Sequence, residues 1–273
     1  MSITRTLADR GLIGPPKFVP AAVAYETEMG SVAYGVAQRA SDVDVYGFCV
    51  PPAELVFPHL TGAIPGFGRQ IQRFEQFQKH GIDDPEQGVQ WDITIYSIVR
   101  FFQLSMENNP NMIEGLFTPQ RCVLYATPVG AIARDARRAF LHKGGWHKFK
   151  GFAYSQIRKM NVKEPEPDSK RAELVERFGY DTKFAYHAVR LIDEGEQLLR
   201  TGDLDLEASK ERLLAVRNGE WTKEQVEQYF KTKEQELDAL YKTTEAVPHS
   251  PDESVIRGVL MSCLEEAWGS VPL

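Results

Sequence analysis

The chain has 273 residues, of which 42% are hydrophobic and 26% charged, the proportions of a globular protein with room for one large domain or two small ones. A net charge of −6 argues against a protein coated in nucleic acid while allowing a local basic surface, and no stretch approaches the roughly 20 apolar residues of a membrane span. Cys49, Cys122 and Cys263 are far apart and form no Cys-x-x-Cys, so a disulfide framework or zinc site is not expected. With no signal-like apolar core near Met1, a reducing cytoplasm is the expected compartment.

A short helix is expected over 4–10, broken afterwards by Gly11, Gly14, Pro15 and Pro16. Residues 23–27 alternate and read as a strand leading into Gly30-Ser31-Val32-Ala33-Tyr34-Gly35. A short helix is expected over 32–39. Its first N–H groups and the Ser31 hydroxyl would then face one spot, suited to phosphate oxygens. Ser41-Asp42-Val43-Asp44-Val45-Tyr46-Gly47 follows, with a strand over 44–50. Strand residues two apart share a face, so Asp42 and Asp44 project side by side. Like charges held that close repel unless a cation sits between them, and carboxylate oxygens suit Mg²⁺.

Residues 61–88 read as an insertion, with a helix or irregular arm over 69–80. The glycine-rich run 61–68 lacks Gly-Lys-Ser/Thr and is no P-loop. Trp91-Asp92-Ile93-Thr94-Ile95-Tyr96-Ser97 alternates and is β-branched, so Asp92 sits on a second strand. Helices over 98–107 and 112–117 and a short strand over 121–125 complete this part. From 131 onward helical patterns dominate: 131–142, 148–161, 169–178, 183–200, 206–216, 222–240 and 254–268. A domain boundary is expected near 126–130, dividing 1–128 from 129–273.

Eight basic residues lie between Arg134 and Lys159, opposed only by Asp135, with Phe140, Trp146, Phe149, Phe152 and Tyr154 interleaved. Cations hold phosphates and aromatic faces stack unpaired bases, so Lys143, Lys148 and Lys150 are candidate acceptor-binding residues. A buried aromatic core beneath a solvated cationic face explains the same pattern. Lys183, His187 and Arg190 recur at i, i+4 and i+7, which puts them on one side of a helix otherwise rich in apolar residues. Arg190 has Glu194 four residues on as a possible structural partner.

Gly30-Ser31, a spacer, Asp42-x-Asp44 and a third carboxylate at Asp92 resemble the signature of the DNA polymerase β nucleotidyltransferase superfamily. Asp92–Phe102, Asn109–Glu114, Lys150–Gln156 and Lys183–Leu191 resemble its RNA-repair-associated branch, often carried by phages. The resemblance spans roughly residues 20–220. It implies an α+β fold: a small mixed sheet bearing the carboxylates, then an all-helical region closing the cleft. It also implies a Mg²⁺-dependent transfer of NMP from an NTP to an acceptor hydroxyl. Asp42, Asp44 and Asp92 would be the catalytic residues, holding two Mg²⁺ ions for which Mn²⁺ can substitute. Gly30 and Ser31 would bind the β- and γ-phosphates. Lys183, with His187 and Arg190 nearby, would meet the triphosphate from the helical region. The expected acceptor is an RNA end. Nucleotidylation of a protein or small molecule is the alternative, and a non-catalytic nucleotide-binding protein ranks last.

Overall fold

The computed structural model describes residues 1–37, 42–57, 59, 62, 64, 73–162, 166 and 169–269. A five-stranded sheet organises the N-terminal half, in the order β3-β4-β2-β1-β5. Its strands are β1 (Val23–Glu28), β2 (Val43–Cys49), β3 (Gln76–Asp84), β4 (Val89–Ser97) and β5 (Val123–Ala126). β2 and β4 are parallel, and the pairs β1/β2, β1/β5 and β3/β4 are antiparallel, so the sheet is mixed.

The period-2 pattern of the central strands dictates what covers each face. Val45, Cys49, Ile93 and Ile95 point one way and are buried by Leu7, Ile13 and Val19 of the N-terminal segment. Phe48, packed on Tyr25 and Phe101, points the other way, toward the helices. The N-terminal segment is tied down by polar contacts as well. Buried Glu26 accepts from the N–H groups of Ile3 (2.6 Å) and Thr4 (2.9 Å) at the start of the helix Ile3–Asp9. Arg10 makes two 2.7 Å bonds to Asp84 on β3.

Two long helices, Gly145–Val162 and Thr182–Thr201, lie side by side as the spine of the helical region. A Cβ at Gly195 would come within 3.0 Å of the Trp146 ring, so the absent side chain sets how closely they approach. Thr182–Thr201 begins where Asp181 accepts from the N–H groups of Lys183 (2.9 Å) and Phe184 (3.1 Å), and it ends at Gly202 in the left-handed region. Lys223–Thr243 starts with Thr222 as its cap, completed into a capping box by Gln225. One hydrophobic cluster runs from Phe48 on the sheet through Trp146 and Val189 to Leu264. This is the α+β arrangement implied by the sequence, a small mixed sheet followed by a helical region.

Three elements depart from expectation. β3 occupies part of the segment read as a helix or arm; Gln76, Gln78, Lys79 and His80 are polar because the strand lies at the edge of the sheet. The helix expected over 32–39 is a single 3₁₀ turn, Gly30–Val32, followed by irregular chain to residue 37, and Gln38 and Arg39 lie outside the described residues. The expected helix 131–142 divides into Pro128–Asp135 and a 3₁₀ turn, Arg137–Phe140, which drops Phe140 into the core. The glycine-rich run 61–68 falls largely outside the described residues, as does the connector 164–168.

Candidate active site

Parallel pairing of β2 and β4 puts Asp44 directly opposite Asp92. Both side chains lie on the sheet face turned to the helices, and both are half-buried. Burial is the main cause raising the Asp44 carboxyl above its ordinary range; the negative charges of Asp92 and Asp42 add to it, and Lys183 opposes them. Asp42 is exposed, one residue before β2.

The Gly-Ser turn closes over Asp44. The Met29 N–H donates to the Asp44 carbonyl at 2.8 Å. Gly30 then turns with φ +75, and a Cβ there would lie 2.8 Å from Asp44 Oδ2. Only glycine takes that backbone shape cheaply and leaves the carboxylate open. Ser31 is half-buried beside it. Because no helix follows, no helix N-terminus aims at this spot: the N–H groups of Ala33, Gly35 and Val36 are used within the turn, on the carbonyls of Gly30, Val32 and Ser31.

Asp92 is held by residues that the sequence reading missed. The β3/β4 register slips between Lys79 and Ile82, and this bulge carries His80 and Gly81. The Gly81 N–H donates to Asp92 Oδ1 at 2.7 Å, and His80 Nδ1 lies 3.2 Å from Oδ2. Glu28, at the end of β1, is a further carboxylate whose pKa is raised, by burial first and by Asp44 next, with Arg121 opposing. Their sequence signal was weak: His80-Gly81 sits in a polar run, and Glu28 lies beyond the alternating part of β1.

The predicted cationic stripe divides. Lys183 is exposed in the first turn of its helix, and its charge acts on Asp44. His187 is half-buried against Tyr186, with ring centroids 4.5 Å apart. Burial holds His187 well below its ordinary pKa, and the charges of Arg190, Lys183, Arg171 and Arg217 push it lower, so the imidazole is neutral. Arg190 is buried and ion-paired with Glu114 and Glu194, the structural alternative that the i, i+4 spacing offered.

The basic stretch divides as well. Phe140, Trp146 and Phe149 are core, whereas Phe152 and Tyr154 are 37% and 61% exposed. Lys150 Nζ is 2.8 Å from Asp238 and sits over the Trp146 ring, and Lys148 is 3.4 Å from Glu107. Lys143 is half-buried. The structure thus sets Gly30 against Asp44 and Asp44 opposite Asp92, with the Lys183 charge acting on Asp44, and it pairs Lys148 with Glu107 and Lys150 with Asp238.

No curated protein matches the chain. Among solved structures it is similar to a nucleotidyltransferase-like protein from Exiguobacterium sibiricum 255-15, at 12% identity and a TM-score of 0.30, over 96% of this chain and 79% of that one. So loose a likeness has no bearing on the site. The profile of the RNA repair pathway DNA polymerase beta family, in contrast, matches residues 17–261. Opposed strand aspartates, a glycine turn against one of them and a match over nearly the whole length agree: the chain belongs to the RNA repair pathway DNA polymerase beta family.

Proposed function

We propose that this protein transfers a nucleotidyl group from an NTP to a hydroxyl at an RNA end and releases pyrophosphate. The observation that carries this reading is the register of Asp44 against Asp92 beneath the Gly30 turn, with Lys183 acting on the same carboxylate. The donor set fits magnesium: hard oxygens, mutual repulsion, and open space at Asp44 Oδ2 where a side chain on Gly30 would stand. Among the described residues no three ligating side chains are gathered closely enough to hold an ion, so Asp42 must turn inward to complete the set. Asp42, Asp44 and Asp92 would hold two Mg²⁺ ions, or Mn²⁺ in their place, which supply charge stabilisation at the attacking and leaving oxygens.

The protein's own groups account for the rest. The acceptor oxygen attacks the α-phosphorus in line, and the bond to the bridging oxygen of the β-phosphate breaks. Asp92 takes the acceptor proton. Gly30 and Ser31 receive the β- and γ-phosphates, and Lys183 neutralises charge on the departing pyrophosphate. His187, kept neutral by burial, would add a hydrogen-bonding group beside Lys183. Lys143 and Lys148, with exposed Phe152 and Tyr154, offer charge and stacking surface to the acceptor strand. Lys150 joins them only by releasing Asp238.

The test is incubation with each NTP labelled at the α-phosphate, with and without RNA, across a salt series. Label on RNA, with transfer falling steeply as salt rises, supports the reading. Label on a protein or small molecule replaces the acceptor, an outcome that the net charge of −6 favours. No label anywhere rejects transfer.

A further inference from the structure

The Gly-Ser turn is gripped from the helical side of the molecule. After Gly30–Val32 the chain runs irregularly, with Gly35 at φ +68, and its backbone bonds stay within residues 30–36, shaping the turn without anchoring it to the helices. Distant side chains hold it instead. Arg121 donates to the Val32 carbonyl at 3.0 Å, and Arg217 donates to the Val36 carbonyl at 2.7 Å. Between them Tyr34 points into the core and its hydroxyl donates to Glu114.

Glu114 belongs to a buried charged cluster. Glu114, Arg190 and Glu194 are 1%, 6% and 2% exposed. Arg190 pairs with Glu114 and lies 3.1 Å from Glu194, and its guanidinium sits 4.4 Å from the centroid of the Tyr34 ring. Two carboxylates against one guanidinium would leave an uncompensated buried charge, which is expensive. Burial holds the Glu194 carboxyl well above its ordinary range, and the neighbouring Glu114 charge adds to this. Glu194 is therefore held toward its protonated form beside the cationic Arg190. Tyr34, whose phenol is likewise kept protonated by burial, can only donate to Glu114. A buried charge-assisted bond of this kind is directional and stiff.

We propose that Tyr34, Glu114 and Arg190 form a strut that positions the Gly30-Ser31 turn against Asp44, so that Glu114 and Arg190 act on triphosphate binding without touching the nucleotide. The proposal rests on the nucleotidyl-transfer reading. Its geometric basis is the tight fit at the turn: Gly30 lies so near Asp44 that displacement of a few tenths of an ångström alters the space between them. Glu114 and Arg190 come from helices far apart in sequence, Pro110–Phe117 and Thr182–Thr201, and meet beneath Tyr34.

The experiment compares Tyr34→Phe and Glu114→Gln with the wild type in binding magnesium tripolyphosphate, which probes the phosphate subsite without a base. A thermal melt checks that each variant is folded at the assay temperature. Both variants should bind tripolyphosphate about tenfold more weakly, and KM for NTP should rise more than kcat falls. A role confined to stability would lower the melting temperature and leave affinity unchanged; that result overturns the strut. Should Glu114→Gln fail to fold, Tyr34→Phe, which removes a single oxygen, decides alone. If the wild type binds no tripolyphosphate, the transfer reading falls and the strut with it. If wild type and variants bind alike, the strut alone falls.

Discussion

Asp44 and Asp92 stand opposite one another in the parallel register of β2 and β4, two half-buried carboxylates on one face. Burial and the neighbouring Asp92 charge make the Asp44 carboxylate costly to charge, and a divalent cation relieves that cost. Mg²⁺ should therefore raise the melting temperature of the wild type, since a ligand bound only by the folded state stabilises it. Asp44→Asn and Asp92→Asn should each abolish that increase, lower transfer by roughly a hundredfold or more, and melt no lower than the wild type without metal. Asp42→Asn should lose activity in the same way. Full turnover by any of them in saturating Mg²⁺ would remove these residues from the chemistry.

The β3 bulge offers a second test. Gly81 takes φ +62, and a Cβ there meets nothing within 4 Å, so Gly81→Ala introduces backbone strain without a clash. The left-handed conformation costs a residue with a Cβ about 1–2 kcal/mol. The Gly81 N–H and His80 together orient Asp92. Gly81→Ala should lower kcat about tenfold beyond what its small loss of stability explains. Unchanged kcat in a folded Gly81→Ala protein would mean that Asp92 does not depend on the bulge.

Lys183 occupies the first turn of its helix, where a cation opposes the macrodipole. It is exposed, and its charge acts on Asp44. Lys183→Ala should therefore leave the melting temperature level or slightly higher. It should also raise KM for NTP or lower kcat by about an order of magnitude, as loss of a charge-stabilising donor does. Wild-type kinetics in that variant would dismiss the contact with the triphosphate.

Stability at low pH should report on Arg10 and Asp84. The bonds from Arg10 hold the Asp84 carboxyl well below the usual carboxylate range. A carboxylate with a lowered folded-state pKa adds stability that is complete above its unfolded value of about 3.9 and is lost as pH falls toward the folded value. Arg10→Ala should melt several degrees below the wild type at neutral pH, with the gap narrowing below about pH 4. A gap independent of pH would show that Arg10 acts through packing rather than charge.

Local pattern was enough to reveal the two aspartate strands. Alternation placed Asp44 and Asp92 on buried strands, and the Gly-Ser turn stood out because glycine and serine are punctuation in any fold. Helices such as Thr182–Thr201 and Lys223–Thr243 were legible through periodicity, which acts within a few residues. β3 was hidden because an edge strand needs no apolar face, and its partner β4 is what makes it a strand. The helix expected after Ser31 failed for the opposite reason: Tyr34, Val32 and Val36 are claimed by Glu114, Arg121 and Arg217, all distant in sequence. The role of Arg190 was likewise undecidable from its helix face, since that face is shared with exposed Lys183. The fold divides them by depth: the first turn is exposed, while the same face two turns on is buried, where Arg190 needs an acidic partner inside the protein.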